Sequence, residues 1–180
     1  MRETKPDFTI SRLGECRIQS PMPSVHFVDD DDHVLYDNNL QKIEVYFKAG
    51  KTPPFFEKAG PREKIYFDPS KLKCALVTCG GLCPGLNDII RAITLELYYG
   101  YGVRHIFGIR YGLQGFIPAF GHQMVELKPS AVTNILEMGG SILGSSRGPQ
   151  PVEDVVDSLE RMNIGILFMI GGDGTIMAAS

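Results

Sequence analysis

The stretch from Lys73 to Ile109 constrains this chain more than any other feature. Cys74-Ala75-Leu76-Val77-Thr78-Cys79 is a short apolar run ended by Gly80-Gly81, after which Leu86, Ile89, Ile90, Ile93 and Leu97 recur at helical spacing. A short apolar run bounded by glycine reads as a buried strand, and recurrence every three to four residues reads as an amphipathic helix. The spacing therefore predicts a helix over Leu86–Tyr99, with Asn87 and Asp88 at its front. Gly102 ends it, and His105-Ile106-Phe107-Gly108-Ile109 supplies a second strand. Strand, helix and strand at this separation form a right-handed βαβ crossover, which makes the two strands parallel.

The same alternation continues. Pro129–Met138 reads as a helix closed by Gly139-Gly140, Pro151–Met162 as another with Glu153 and Asp154 in its first turn, and Ile164–Ile170 as a nearly continuous apolar strand. No internal repeat is visible. The expected fold is α/β, a doubly wound parallel sheet with ligands at the carboxyl ends of its strands. Residues 1–72 differ in texture: scattered proline and glycine, the acidic run Asp29–Asp32, the stretch Gly50-Lys51-Thr52-Pro53-Pro54, and no sustained period. They read as an amino-terminal arm, with the α/β domain occupying 73–180. The aspartate run reads as a solvated loop, because it lacks the glycine and the distal glutamate of a calcium loop.

Composition narrows the ligand. Of 180 residues 43% are hydrophobic and 22% charged, which supports a packed core, and a net charge of -3 gives no general attraction for nucleic acid. Any polyanion must be held by local groups, so a small ligand is expected. No apolar run approaches the roughly 18 residues of a membrane span. Met1–Ser20 lacks the order of a secretory signal, and Glu3, Asp7 and Glu15 argue against a transit peptide. Cys16, Cys74, Cys79 and Cys83 contain no C-x-x-C pair and read as reduced thiols of a cytosolic or stromal protein.

Three glycine-rich turns carry the chemistry. Gly80-Gly81-Leu82-Cys83-Pro84-Gly85-Leu86-Asn87 joins strand to helix. Glycine lets the backbone approach a phosphate without Cβ obstruction, and a helix amino terminus adds N–H donors and positive dipole. The same turn also serves as a tight connection without a ligand, and it is neither a dinucleotide G-x-G-x-x-G nor a lysine-bearing P-loop. Gly139–Gly148 positions Arg147, whose fork bonds two phosphate oxygens at once, although an arginine in a loop also serves as a plain surface charge. Gly171-Gly172-Asp173-Gly174-Thr175 follows the most apolar strand. Asp173 there suits Mg²⁺ beside a polyphosphate, or alternatively a helix N-cap, but a cap needs none of the flanking glycines.

Together these turns resemble the phosphofructokinase family. The likeness covers about Phe47–Ser180. Ala59-Gly60-Pro61-Arg62-Glu63-Lys64-Ile65-Tyr66-Phe67 and Cys79-Gly80-Gly81-Leu82-Cys83-Pro84-Gly85-Leu86-Asn87 resemble its plant-type, ATP-dependent branch. Phe27-Val28 and Tyr36-Asp37-Asn38-Asn39 resemble that branch's arm. The resemblance implies transfer of the γ-phosphoryl group of Mg-ATP to the 1-hydroxyl of fructose 6-phosphate, in glycolysis, by a homo-oligomer. It places Gly80 beside the nucleotide, Arg147 on its phosphates and Asp173 at Mg²⁺, with Gly148, Gly172, Gly174 and Thr175 as further nucleotide contacts. Pyrophosphate-using relatives commonly carry a second Asp at the position of Gly174, where a carboxylate would crowd and repel the α-phosphate region, so glycine favours ATP. Leu113 stands where many relatives have an aromatic residue. The base on the sugar hydroxyl, and most of the fructose 6-phosphate site, are expected beyond Ser180. This sequence thus reads as the first half of an ATP-binding domain truncated at its carboxyl end, containing no catalytic base and inactive in isolation. The rival expectations are an NAD or lipid kinase, which would share Gly-Gly-Asp-Gly-Thr but not the other two turns, a pyrophosphate-dependent enzyme, and a non-catalytic assembly partner of a full-length kinase.

Overall fold

A computed structural model of the chain describes residues 10–22 and 26–179. Glu3 and Asp7, which bear on the transit-peptide expectation, lie outside the described residues. The chain divides into two compact units, Met1–Phe67 and Asp68–Ser180.

The first unit contains β1 (Ile18–Gln19), β2 (His33–Leu35), α1 (Leu40–Lys48), β3 (Phe55–Glu57) and β4 (Lys64–Ile65). β1 pairs with β4, and β2 with β3, as two antiparallel ribbons. Asn39 caps α1 by accepting the Lys42 N–H through its side chain, the usual use of Asn at that position. Segments this short carry too little period to be read from sequence. The acidic run is solvated as expected, and it is also paired: Asp30 meets Arg62 at 3.0 Å and Asp32 meets Lys58 at 3.2 Å. Such exposed pairs contribute at most about 1 kcal/mol each.

The second unit contains β5 (Lys73–Thr78), α2 (Leu86–Leu95), β6 (His105–Ile109), β7 (Val125–Glu126), α3 (Val152–Met162), β8 (Ile166–Ile170) and α4 (Asp173–Ala179). The sheet order is β7-β6-β5-β8. β5 runs parallel to both neighbours, with Val77 opposite Ile109 and Thr78 opposite Ile170, while β7 is an antiparallel edge. The α/β fold with its parallel sheet is therefore present, plus an edge strand of two residues that no sequence period could reveal.

β5 is the spine, and Cys74, Ala75, Leu76 and Val77 are fully buried. Because a strand alternates its faces, Ala75, Val77 and Cys79 pack with Ile109 and Phe116 beneath Val155, Leu159 and Met162 of α3. Thr78 faces the other way, which matters below. The Ser158 hydroxyl of α3 donates to the Phe116 carbonyl, fixing α3 to the segment after β6.

Two expected helices differ. Leu86–Tyr99 is α-helical only to Leu95 and then widens into a π turn over Glu96–Gly100, closed by the Tyr101 N–H on the Glu96 carbonyl at 3.0 Å. A Cβ on Gly100 would meet only the movable end of the Glu96 side chain. Pro129–Met138 is not a helix but two 3₁₀ turns, Pro129–Val132 and Ile135–Glu137. Its apolar residues have helical spacing, but Val132 and Thr133 are β-branched. The Thr133 hydroxyl also takes the Pro129 carbonyl at 2.9 Å, a local bond that competes with helix propagation.

Candidate functional site

The register of the sheet brings three turns to one end. Thr78, Ile109 and Ile170 finish their strands side by side, so the chain leaves β5, β6 and β8 along the carboxyl edge. There β5 is flanked by β6 on one side and β8 on the other, a topological switch point where open α/β sheets form a crevice.

The loop Gly139–Gly148 is built onto that edge by side chains far away in sequence. Leu143 is fully buried over Gly108, at which any Cβ would strike it. The Thr78 hydroxyl donates to the Gly144 carbonyl at 2.6 Å and accepts from the Ser141 hydroxyl at 2.8 Å. Asn87, 3% exposed, donates through its amide to Met138 O and accepts from Ile142 N–H, both at 2.9 Å. The Gly80 N–H donates to Ser146 O at 3.2 Å, and the Ser145 hydroxyl donates back to Gly80 O. The first two turns are thereby zipped together. Gly80 offers room rather than a donor, because its N–H is already taken.

These turns and the start of α4 enclose a cleft of about 490 Å³, lined by all seven nucleotide-contact residues expected from the sequence: Gly80, Arg147, Gly148, Gly172, Asp173, Gly174 and Thr175. Leu113 lines it too. The amino terminus of α2 does not line it. Asn87 instead spends its side chain on the neighbouring loop.

Two features point to a ligand. First, Gly81, Gly172 and Gly174 have no neighbour within 4 Å of where a Cβ would stand, and none of them has a left-handed backbone. Neither packing nor conformation demands glycine there, and all three border the cleft, although Gly139 is equally bare away from it. Gly171 contrasts with them, since a Cβ on it would collide with the Thr175 hydroxyl and approach the Cys79 carbonyl. Second, Arg147 is the one cation and Asp173 the one carboxylate among the lining residues, and neither has a hydrogen-bond or ion-pair partner among the described residues. Asp173 opens α4 from its first turn. Among the described residues no cluster of three or more His, Cys, Asp or Glu could hold a metal. Mg²⁺ does not require one, since it binds through one or two carboxylates and completes its shell with water and phosphate oxygens. An unpaired Asp173 beside space for phosphates fits that ion.

The phosphofructokinase family model matches residues 73–180, the span of all three turns. The chain belongs to the phosphofructokinase family. It is 46% identical over 94% of its length to the ATP-dependent 6-phosphofructokinase of Borreliella burgdorferi, of which it spans 39%. It is 50% identical to the chloroplastic ATP-dependent 6-phosphofructokinase 5 of Arabidopsis thaliana over 70% of this chain and 23% of that relative. The crystal structure of Pichia pastoris phosphofructokinase superposes with a TM-score of 0.53 at 26% identity, over 67% of this chain and 13% of that one. The chain thus covers about two fifths or less of each of these relatives.

Within this phosphofructokinase fold the residues missed by sequence reasoning are the ones that shape the loop: Thr78, Asn87, Ser141 and Ser145. Their partners lie 51 to 66 positions away, apart from those within the loop itself. The only signal was Asn87 standing in the first turn of a helix, where its side chain has a backbone to bond. All four cysteines are free. Among the described residues no helix is long and apolar enough to cross a membrane.

Proposed function

We propose that this chain carries the Mg-ATP side of an ATP-dependent 6-phosphofructokinase, transferring the γ-phosphoryl group to the 1-hydroxyl of fructose 6-phosphate in glycolysis. Residues 1–72 are an amino-terminal arm and 73–180 a partial ATP-binding domain of a homo-oligomer in the cytoplasm, or alternatively in the plastid stroma. The observation that carries the reading is the meeting of two unpartnered charges, Arg147 and Asp173, with Gly81, Gly172 and Gly174, at which neither packing nor backbone conformation asks for glycine.

The roles follow from the groups. Arg147 binds phosphate oxygens bidentately, and a hydrogen bond to a charged group contributes about 1.5–3 kcal/mol. Asp173 would hold Mg²⁺, which when bound offsets charge on the β- and γ-oxygens. Gly80 and Gly81 let the phosphate chain lie against the backbone, Gly148 and Gly172 widen the cleft at its rims, and the Thr175 hydroxyl borders its floor. Leu113 offers an apolar wall for the adenosine portion. Gly174 favours ATP over pyrophosphate: a side chain there meets no protein atom, so an aspartate would fit and would put a second negative charge into the phosphate space.

The test uses the protein purified from its own cells at its native length. ADP release that depends on fructose 6-phosphate, with no orthophosphate release from pyrophosphate, is expected. ADP release that depends instead on NAD or diacylglycerol, or turnover with pyrophosphate alone, would contradict the proposal.

A further inference from the structure

Tyr111 follows β6 with φ 59 and ψ 46, a left-handed conformation that a bulky residue rarely adopts. Asn163 is the one other non-glycine with positive φ among the described residues. Strain of this kind persists where surrounding contacts over-determine it, and here those contacts go to the Arg147 loop. The Tyr111 N–H donates to the Leu143 carbonyl at 2.8 Å. Its ring stands so close to Gly144 that a Cβ on that glycine would be 2.9 Å from it. The ring also meets His122, with centroids 4.5 Å apart, and the Arg110 guanidinium, 5.1 Å from its centre. The next residue, Gly112, is left-handed as well, and a Cβ on it would stand 2.9 Å from the Ser146 N. Tyr111 and Gly112 thus brace Leu143 through Ser146, the four residues that run into Arg147.

Resting on the donor-site reading above, we infer that Tyr111 is a positioning residue: its backbone bond and its ring hold the Leu143–Ser146 segment so that Arg147 is presented to the phosphates. Tyr111 is 38% exposed and does not line the cleft, so its effect on ligand passes through the loop. Its left-handed backbone turns the ring onto Gly144, which is left-handed too at φ 68 and on which a Cβ would also meet the ring.

The experiment compares the full chain with Tyr111→Phe and Tyr111→Asn. Asparagine tolerates the left-handed region but lacks the ring. Three readouts are taken: hydrogen exchange at amides 143–146 without nucleotide, the thermal midpoint, and affinity for Mg²⁺ with adenylyl imidodiphosphate. Tyr111→Asn is expected to exchange faster at 143–146 and to bind about tenfold more weakly or worse, at a retained thermal midpoint, because small misplacements of a binding group cost that much. Tyr111→Phe is expected to match the parent. Parent-like exchange and affinity in Tyr111→Asn would overturn the inference. So would loss of the fold, which would make Tyr111 a residue of the core rather than of the loop. If the parent itself bound no nucleotide, the donor-site reading would fall instead, and the exchange data would decide the brace by the same criterion.

Discussion

Arg147 and Asp173 have nothing to do inside the protein, and this makes them sharp probes. Removing a side chain without intramolecular partners costs the fold little, within about 0.5 kcal/mol for a surface position. Removing a charge-assisted phosphate contact costs about 1.5–3 kcal/mol. Arg147→Ala should therefore weaken Mg-ATP binding by about ten- to a hundredfold at unchanged stability, measured by calorimetric titration beside a thermal melt. Gly174→Asp should also fold normally, because no protein atom stands in its way, yet lose ATP affinity. An ATP affinity equal to the parent's would remove Gly174 from donor selection. The thiols differ by burial: Cys74 and Cys79 are buried, Cys16 and Cys83 exposed. Alkylation of the native chain at neutral pH should modify Cys16 and Cys83 quickly and the other pair only on unfolding. Burial pushes the Cys74 thiol up from an ordinary 9.0 to about 11. Between those values the unfolded chain has released a proton that the folded chain keeps, so this contribution is complete below about pH 9 and is lost as pH rises towards 11. Denaturant titrations across that range should show the decline, and Cys74→Ala should lessen it, the remainder belonging in part to Cys79, whose thiol burial also pushes up.

At the scale of elements, what could be read in advance was what has a period. β5, β6 and β8 announced themselves as apolar runs, α2 as an amphipathic repeat and α3 by its acidic first turn, because each packs an apolar face against its neighbours. Pro129–Met138 misled because spacing alone cannot register the β-branched Val132-Thr133 pair or the bond from Thr133 to Pro129. The seven cleft residues were legible because the three short motifs that carry them resemble those of phosphofructokinases; the glycines, Arg147 and Asp173 alone left a plain turn, a surface charge and a helix cap open. The scaffold of the Arg147 loop was not legible, since Thr78, Asn87 and Tyr111 act on it across the sheet, and their roles exist only once β5, β6 and α2 are in place. Asn87 gives the test at this scale. Asn87→Ala removes the partners of Met138 O and Ile142 N–H in a partly buried setting, a loss of about 1 kcal/mol. Chemical denaturation should report that drop, with faster hydrogen exchange at 138–142. Unchanged stability would mean water replaces the side chain there.

For the whole molecule, the sheet supplies the order and the turns supply the chemistry: parallel strands set side by side bring three distant glycine-rich turns to one edge. A ligand that binds only this folded arrangement must stabilise it, by about 2.7 kcal/mol at a hundred times its dissociation constant. Mg-ATP should therefore raise the melting temperature of the chain, and a chelator should abolish most of the rise if Asp173 acts through Mg²⁺. The most direct measurement is calorimetric titration of Mg-ATP into the 180-residue chain and into its Asp173→Asn variant, with and without magnesium. One-to-one, magnesium-dependent binding to the parent, with the magnesium dependence lost in the variant, is expected. Equal magnesium-dependent binding by both chains, or none by the parent, would contradict the assignment of this cleft as the donor site.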